Sequence, residues 1–109
     1  MTPVDLGDTE HLVLLAILRL GLEAYGIPIL EEVSVRSGRN VSKATVYVAL
    51  KRLERKGLVT SRLGEATAER GGRAKRYFKL RAGGLQALRE SRDMYLKLWR
   101  EYEPLLDQS

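Results

Sequence analysis

The spacing of apolar residues in this 109-residue chain predicts a mainly α-helical fold with one small β-hairpin, an α+β arrangement that ends in a long helix. Three observations carry that expectation. Residues 42–58 combine a capping serine, an apolar stripe at i, i+4 and i+7, and a glycine stop. After Gly57 the apolar period falls from 3.6 to 2. From Leu85 to Leu106 an apolar seam advances by alternating threes and fours.

The elements follow in order. Asp8, with an acceptor side chain suited to N-capping, predicts the start of a first helix that ends before Gly21. Leu12 to Leu18 is an unbroken apolar run of seven residues, so this helix is expected to be central and buried all round. Leu22 to Gly26 reads as a short connection, with Gly26 free to adopt a left-handed conformation. A second helix is expected from about Ile27 to Ser37. Pro28 suits its first turn, where the missing amide costs nothing, Leu30 and Val33 face inward, and Gly38 stops it. The third helix has Ser42 as N-cap, Val46, Leu50 and Leu53 as its buried stripe, Gly57 past its end and apolar Leu58 beyond.

Val59, Ser61 and Leu63 then alternate with polar residues as a half-buried strand. Arg76 to Leu80 reads as its partner, with Phe78 and Leu80 on one face. The 11 residues from Gly64 to Ala74 form a long hairpin loop with a basic tip containing Arg70, Gly71, Gly72 and Arg73, followed by Lys75. The last helix starts within Ala82 to Leu85 and reaches about Leu106. Gly83 and Gly84 weaken its start by about 1 kcal/mol each.

Composition narrows the function. The length suits one core, and 44% apolar with 30% charged residues is an ordinary globular balance. There is no cysteine, which excludes disulfides, thiolate metal sites and cysteine nucleophiles, and the single histidine, His11, removes two-histidine metal motifs. His11 reads as a lone surface histidine, and no cofactor or metal is expected. The longest apolar run falls far short of the roughly 20 residues that cross a bilayer. No secretory leader is evident at the start of the chain, so a cytoplasmic protein without membrane contact is expected. Charge is unevenly placed. Arg36 to Arg81 holds 14 Lys/Arg and 3 Asp/Glu, a net of +11, whereas the remainder holds 5 and 11, a net of −6. A basic middle between acidic ends points to a polyanion partner.

Three helices followed by a hairpin with a basic loop is the order of a winged helix-turn-helix. Such a fold can lay an exposed helix in the major groove and carry arginines to the backbone or minor groove. Residues 1–81 are expected to form that domain and 82–109 a dimerisation helix continuous with it. Within the third helix Lys43, Ala44, Thr45 and Tyr47 lie at or near the groove-facing start, while Lys51 and Arg52 suit phosphates. Arg73 and Lys75, with Arg70 beside them, form the wing's cationic set, a composition that a hairpin has no structural need for.

Residues Tyr25 to Leu88, roughly 60% of the chain, resemble the PadR family of transcriptional regulators. The resemblance rests on YGIPILEEV (Tyr25–Val33), SKATVYVALKRLERKGLV (Ser42–Val59) and, most selectively, ERGGRAKRYFKL (Glu69–Leu80). It implies a homodimeric repressor of a palindromic promoter site, with a small molecule as candidate effector, a recognition helix from Ser42 to Lys56, and a compact form with a single C-terminal helix. By the same resemblance Tyr25 lies close to the DNA backbone. Two positions depart from the pattern: Ala44 stands where glycine is frequent, and Arg81 where a threonine usually caps the last helix.

The long seam comprises Leu85, Leu88, Arg92, Tyr95, Trp99, Tyr102 and Leu106. A helix of that length with its aromatics on a separate stripe is best used against a second copy, with Arg92 setting register or pairing with an acid on the partner. Facing aromatic stripes could also enclose a flat cavity for a small aromatic or hydrophobic effector. No catalytic constellation is assembled. Glu31 and Glu32 are adjacent and diverge, and the glycine-rich loop lacks the lysine-serine ending of a nucleotide-binding loop. The alternative reading is a winged-helix protein-interaction module without sequence-specific DNA binding. Against it, Glu65 to Lys75 offers no apolar anchor for a protein partner.

Overall fold

The computed structural model describes residues 6–64 and 74–108. In order it contains α1 (Asp8–Leu20), a 3₁₀ turn (Gly21–Glu23), α2 (Gly26–Ser37), α3 (Lys43–Arg55), β1 (Val59–Leu63), β2 (Arg76–Leu80) and α4 (Ala82–Asp107). Helix α1 is the hub and touches α2, α3, β2 and α4. Its N-cap is Gly7 rather than Asp8. The Gly7 amide donates to Glu10 Oε1 at 3.1 Å, so the residue three places on satisfies the helix start. Asp8 is left exposed in the first turn, where the helix dipole favours it. Nor is α1 buried all round. Val13, Leu14, Ala16 and Ile17 enter the core, but Leu15 and Leu18 stand exposed because every neighbouring element packs on one side.

Gly26 also differs from expectation. It is the first residue of α2, and positive φ among the described residues falls at Gly21, Gly38 and Gly57 instead. What position 26 requires is space: a Cβ there would lie 2.6 Å from the Tyr47 hydroxyl oxygen. Ile29 and Val33 are the buried residues of α2, with Leu30 partly buried beside them. Helix α3 ends as its sequence predicts. Leu58 donates its amide to the Leu53 carbonyl and Gly57 to that of Glu54, both at 3.0 Å, which is the Schellman pattern with an apolar residue beyond the glycine.

Strands β1 and β2 pair antiparallel from Val59↔Leu80 to Leu63↔Arg76. Val59 and Phe78 reach the core, whereas Leu63, expected on the buried face, is exposed because the hairpin projects beyond the helices. The segment before α2 adds a third, very short rung. Tyr25 bridges Tyr77, and Phe78 donates its amide to the Ala24 carbonyl at 2.8 Å. That rung ties the wing to the start of α2.

Helix α4 begins at Ala82 and continues through both glycines. Gly84 and Leu85 donate to the Arg81 carbonyl at 2.9 and 3.1 Å. Gly84 is buried against the backbone of Leu58, an approach that any Cβ would block. Ala87 and Leu88 belong to the core, and Leu85 is half-buried beside them. From Arg92 to Gln108 every residue is exposed, so about 25 Å of helix extends past the domain.

Among the described residues, ion pairs tie α1 to both α2 and α3, the first through Arg19 Nε and Glu32 Oε1 at 3.0 Å. Lys56 Nζ donates to Glu10 Oε2 at 2.7 Å, and the Glu10 side chain is only 9% exposed. The pair joins the start of α1 to the end of α3. Lys56→Met leaves a nearly buried carboxylate without its cation, and is expected to cost about 1–2 kcal/mol. Thermal melts should show the Glu10→Gln/Lys56→Met double variant losing less than the two single changes added together.

Candidate nucleic-acid interface

The buried residues of α3 define its free face. Val46, Ala49, Leu50 and Leu53 point inward. At 100° per residue, Ala44, Val48, Lys51 and Arg55 then lie diametrically opposite, and all four are exposed. Lys43 and Tyr47 flank this crest on one side, Thr45 and Arg52 on the other. No ion pair ties down Lys43, Lys51, Arg52 or Arg55 among the described residues. Their charge is therefore available to a polyanion.

The start of the helix is organised locally. Ser42 Oγ accepts the Thr45 amide at 3.1 Å and lies 2.8 Å from the Thr45 hydroxyl, so these two hydroxyls are partly committed to the cap. Tyr47 is 39% exposed and has two neighbours of different kinds. Its hydroxyl lies against Gly26, and Lys43 Nζ lies 5.7 Å from its ring centre.

Cations and rings alternate at the base of the wing. Lys75 Nζ stands 3.7 Å from the Tyr25 ring centre, the Tyr25 and Tyr77 rings meet edge to face at 5.4 Å, and the Arg62 guanidinium lies 5.0 Å from the Tyr77 ring. Lys75 closes the described part of the hairpin by accepting the Gly64 amide at 2.7 Å. Behind it, Arg76 donates to Ser61 Oγ, which donates to Glu54 Oε2 and so secures β1 to α3. Arg70 and Arg73 lie outside the described residues.

Tyr25, Lys43, Tyr47, Lys51 and Lys75, drawn from three separate segments, line one open groove of about 800 Å³. Ala44, Thr45, Val48 and Arg52 line a second groove, of 440 Å³, on the other side of α3 against the start of α1. The free face of α3 is thus a ridge between two grooves. Val48 and Arg62 were not singled out by the sequence reading. Val48 could have been found from the helical wheel, since it lies opposite the Val46–Leu50–Leu53 stripe. Arg62 could not, because its place over Tyr77 depends on strand register.

The seam of α4 divides. Leu85 and Leu88 pack on their own domain, while Tyr95, Trp99, Tyr102 and Leu106 are exposed, joined by Met94, Leu98 and Leu105. Arg92 Nε bonds Asp93 Oδ1 at 2.9 Å, both side chains being about two-thirds exposed. His11 is half-buried rather than a free surface histidine. Its Nδ1 lies 3.4 Å from Ser91 Oγ, and its ring is 6.4 Å from that of Tyr95. Among the described residues no cluster of three metal-ligating side chains occurs, and no helix is long and apolar enough to cross a membrane.

Known proteins share this arrangement. The family model described as "Transcriptional regulator PadR-like family" matches residues 14–90. A PadR family transcription regulator from Clostridium difficile superposes with a TM-score of 0.66 at 25% identity, over 94% of this chain and 97% of that one. One from Eggerthella lenta gives 0.70 at 26% identity, over 90% and 83%. A PadR-like regulator from Bacillus cereus gives 0.73 at 21% identity, over 89% of each chain. No curated protein sequence matches the chain significantly. With a basic ridge and hairpin in place, and with the family match spanning α2, α3 and the wing, the chain belongs to the PadR-like family of DNA-binding transcriptional regulators.

Proposed function

We propose that this chain is a homodimeric repressor that binds a palindromic operator through the recognition helix, residues 42–56, and the basic wing, residues 64–75. The observation that supports the reading is the ridge of α3, whose Lys43 and Lys51, unpaired among the described residues, line one groove with Lys75 at the base of the wing. In this reading Lys51 and Arg52 hold phosphates, Lys43, Ala44, Thr45 and Tyr47 approach the bases, and Tyr25 holds Lys75 toward the backbone. Two copies joined along α4 present two such ridges to successive major grooves.

Gel shifts across a salt series test the wing. Lys75→Ala and Arg73→Ala should each weaken binding and lower the slope of log K against log salt by about 0.9. If neither change affects any duplex, the wing has no role in DNA binding, and the protein-interaction reading gains ground.

The exposed aromatics of α4 also support a small aromatic or hydrophobic effector, bound where the two stripes meet. Such a ligand would release DNA by favouring a dimer geometry in which the two recognition helices no longer match the operator. Trp99 fluorescence should then be quenched by planar aromatic dyes in a saturable way; a varied panel without effect removes the pocket from the proposal.

A further inference from the structure

The face of α3 turned farthest from the core is not uniformly polar. Its C-terminal half carries Lys51 and Arg55, but its N-terminal half carries Ala44 and Val48, one turn apart. Val48 is 48% exposed. The core does not need it, since Val46, Ala49, Leu50 and Leu53 already fill the inward side. Helix propensity does not favour it either, because a β-branched residue is a poor choice at an exposed helical position. Its surroundings argue against a protein partner: Lys43, Lys51, Arg52 and Arg55 surround the apolar pair with positive charge that no ion pair among the described residues neutralises. A partner must therefore combine dense negative charge with a small apolar projection at the centre. The major groove of a duplex does so where thymine presents its 5-methyl group between two phosphate backbones.

We infer that Ala44 and Val48 are specificity-determining residues that read thymine methyl groups, so that each operator half-site carries thymine under the start of α3. The inference rests on the proposed docking of α3 in the major groove and names what that docking selects. Thr45 borders the same groove along the helix and adds a side-chain methyl, while its hydroxyl stays with Ser42. Lys51 and Arg55, one and two turns further on, are placed for the flanking phosphates.

The test begins with duplexes selected by the full-length protein from a random pool. Each thymine of the recovered half-site is replaced in turn by deoxyuridine, which keeps base pairing and loses only the methyl group. At one position per half-site the substitution should weaken binding about fourfold, and in both half-sites together on the order of tenfold, the effect of one buried methyl at each. Val48→Ser should bind the thymine duplex as weakly as the unaltered protein binds the uracil duplex, and should no longer distinguish the two. Because Val48 lies on the surface, its melting temperature should hold, which separates a reading defect from a folding one. Duplex binding that ignores every uracil substitution, or a Val48→Ser protein that discriminates as before, overturns the inference while leaving the proposed docking in place. Failure to select any duplex overturns both.

Discussion

Trp99→Asp is expected to yield a folded monomer that has lost at least about 100-fold in operator affinity. Residues 92–108 touch little of their own domain, and Trp99 is half exposed there among Tyr95, Leu98, Tyr102 and Leu106. An isolated helical extension of that length is marginal in water, and an apolar stripe along it raises the cost of leaving it uncovered. In the proposed dimer a second copy of the same stripe would cover both at once. A carboxylate at position 99 would be desolvated in the middle of such an interface. The core formed by α1, α2, α3, the hairpin and the start of α4 does not include Trp99, so circular dichroism should retain the helical signal of the domain and lose at most that of the uncovered extension. Loss of the second half-site removes the avidity of a bivalent complex, commonly 10²–10⁴-fold. Sedimentation velocity gives the decisive reading: a Trp99→Asp protein that still sediments as a dimer places the interface elsewhere.

The second large effect concerns two adjacent glycines whose substitutions should act in opposite directions. Helix propensity favours alanine over glycine by about 1 kcal/mol at either position. At Gly83 a Cβ would meet the Leu58 side chain at 3.6 Å, an ordinary contact, so Gly83→Ala should gain up to about 1 kcal/mol. At Gly84 the same atom would fall on the Leu58 carbonyl oxygen. Backbone cannot step aside as a side-chain end can, and overpacking of this kind costs roughly 1–3 kcal/mol. The collision outweighs propensity, and Gly84→Ala should lose about 1–2 kcal/mol, with a melting point several degrees lower. Denaturant titration of the two variants decides the matter. Equal gains in both would mean that α4 does not press on Leu58. The contact matters beyond stability, because Leu58 joins α3 to β1 and its carbonyl also accepts the Arg81 amide at 2.9 Å. A change at position 84 is therefore felt where α3 meets β1.

The elements that were legible in the sequence share a local cause. The cap at Ser42, the stripe of Val46, Leu50 and Leu53, and the stop at Gly57 each depend on residues within one or two turns, and all three stand where the spacing placed them. The two strands share that cause, since alternation over five residues marks each of them, although their register is settled only by pairing. Expectations failed where a distant residue intervened. The sequence leaves Gly26 free to turn left-handed, but its lack of a side chain makes room for Tyr47 from another helix. Asp8 was assigned the cap, but Glu10 answers both the Gly7 amide and Lys56, 46 positions away, and so settles where α1 begins. His11 was read as a surface residue, and α4 returns to cover it with Ser91 and Tyr95.

By itself the sequence determined the helices, the hairpin, the basic middle and the apolar seam, because periodicity, capping and charge are properties of neighbours along the chain. Tertiary structure alone decided which cations remain unpaired among the described residues, where the α4 seam leaves the core, and that Tyr25 lies beneath Lys75. Those outcomes depend on groups far apart in the chain meeting within a few ångströms, and the order of residues does not state such distances.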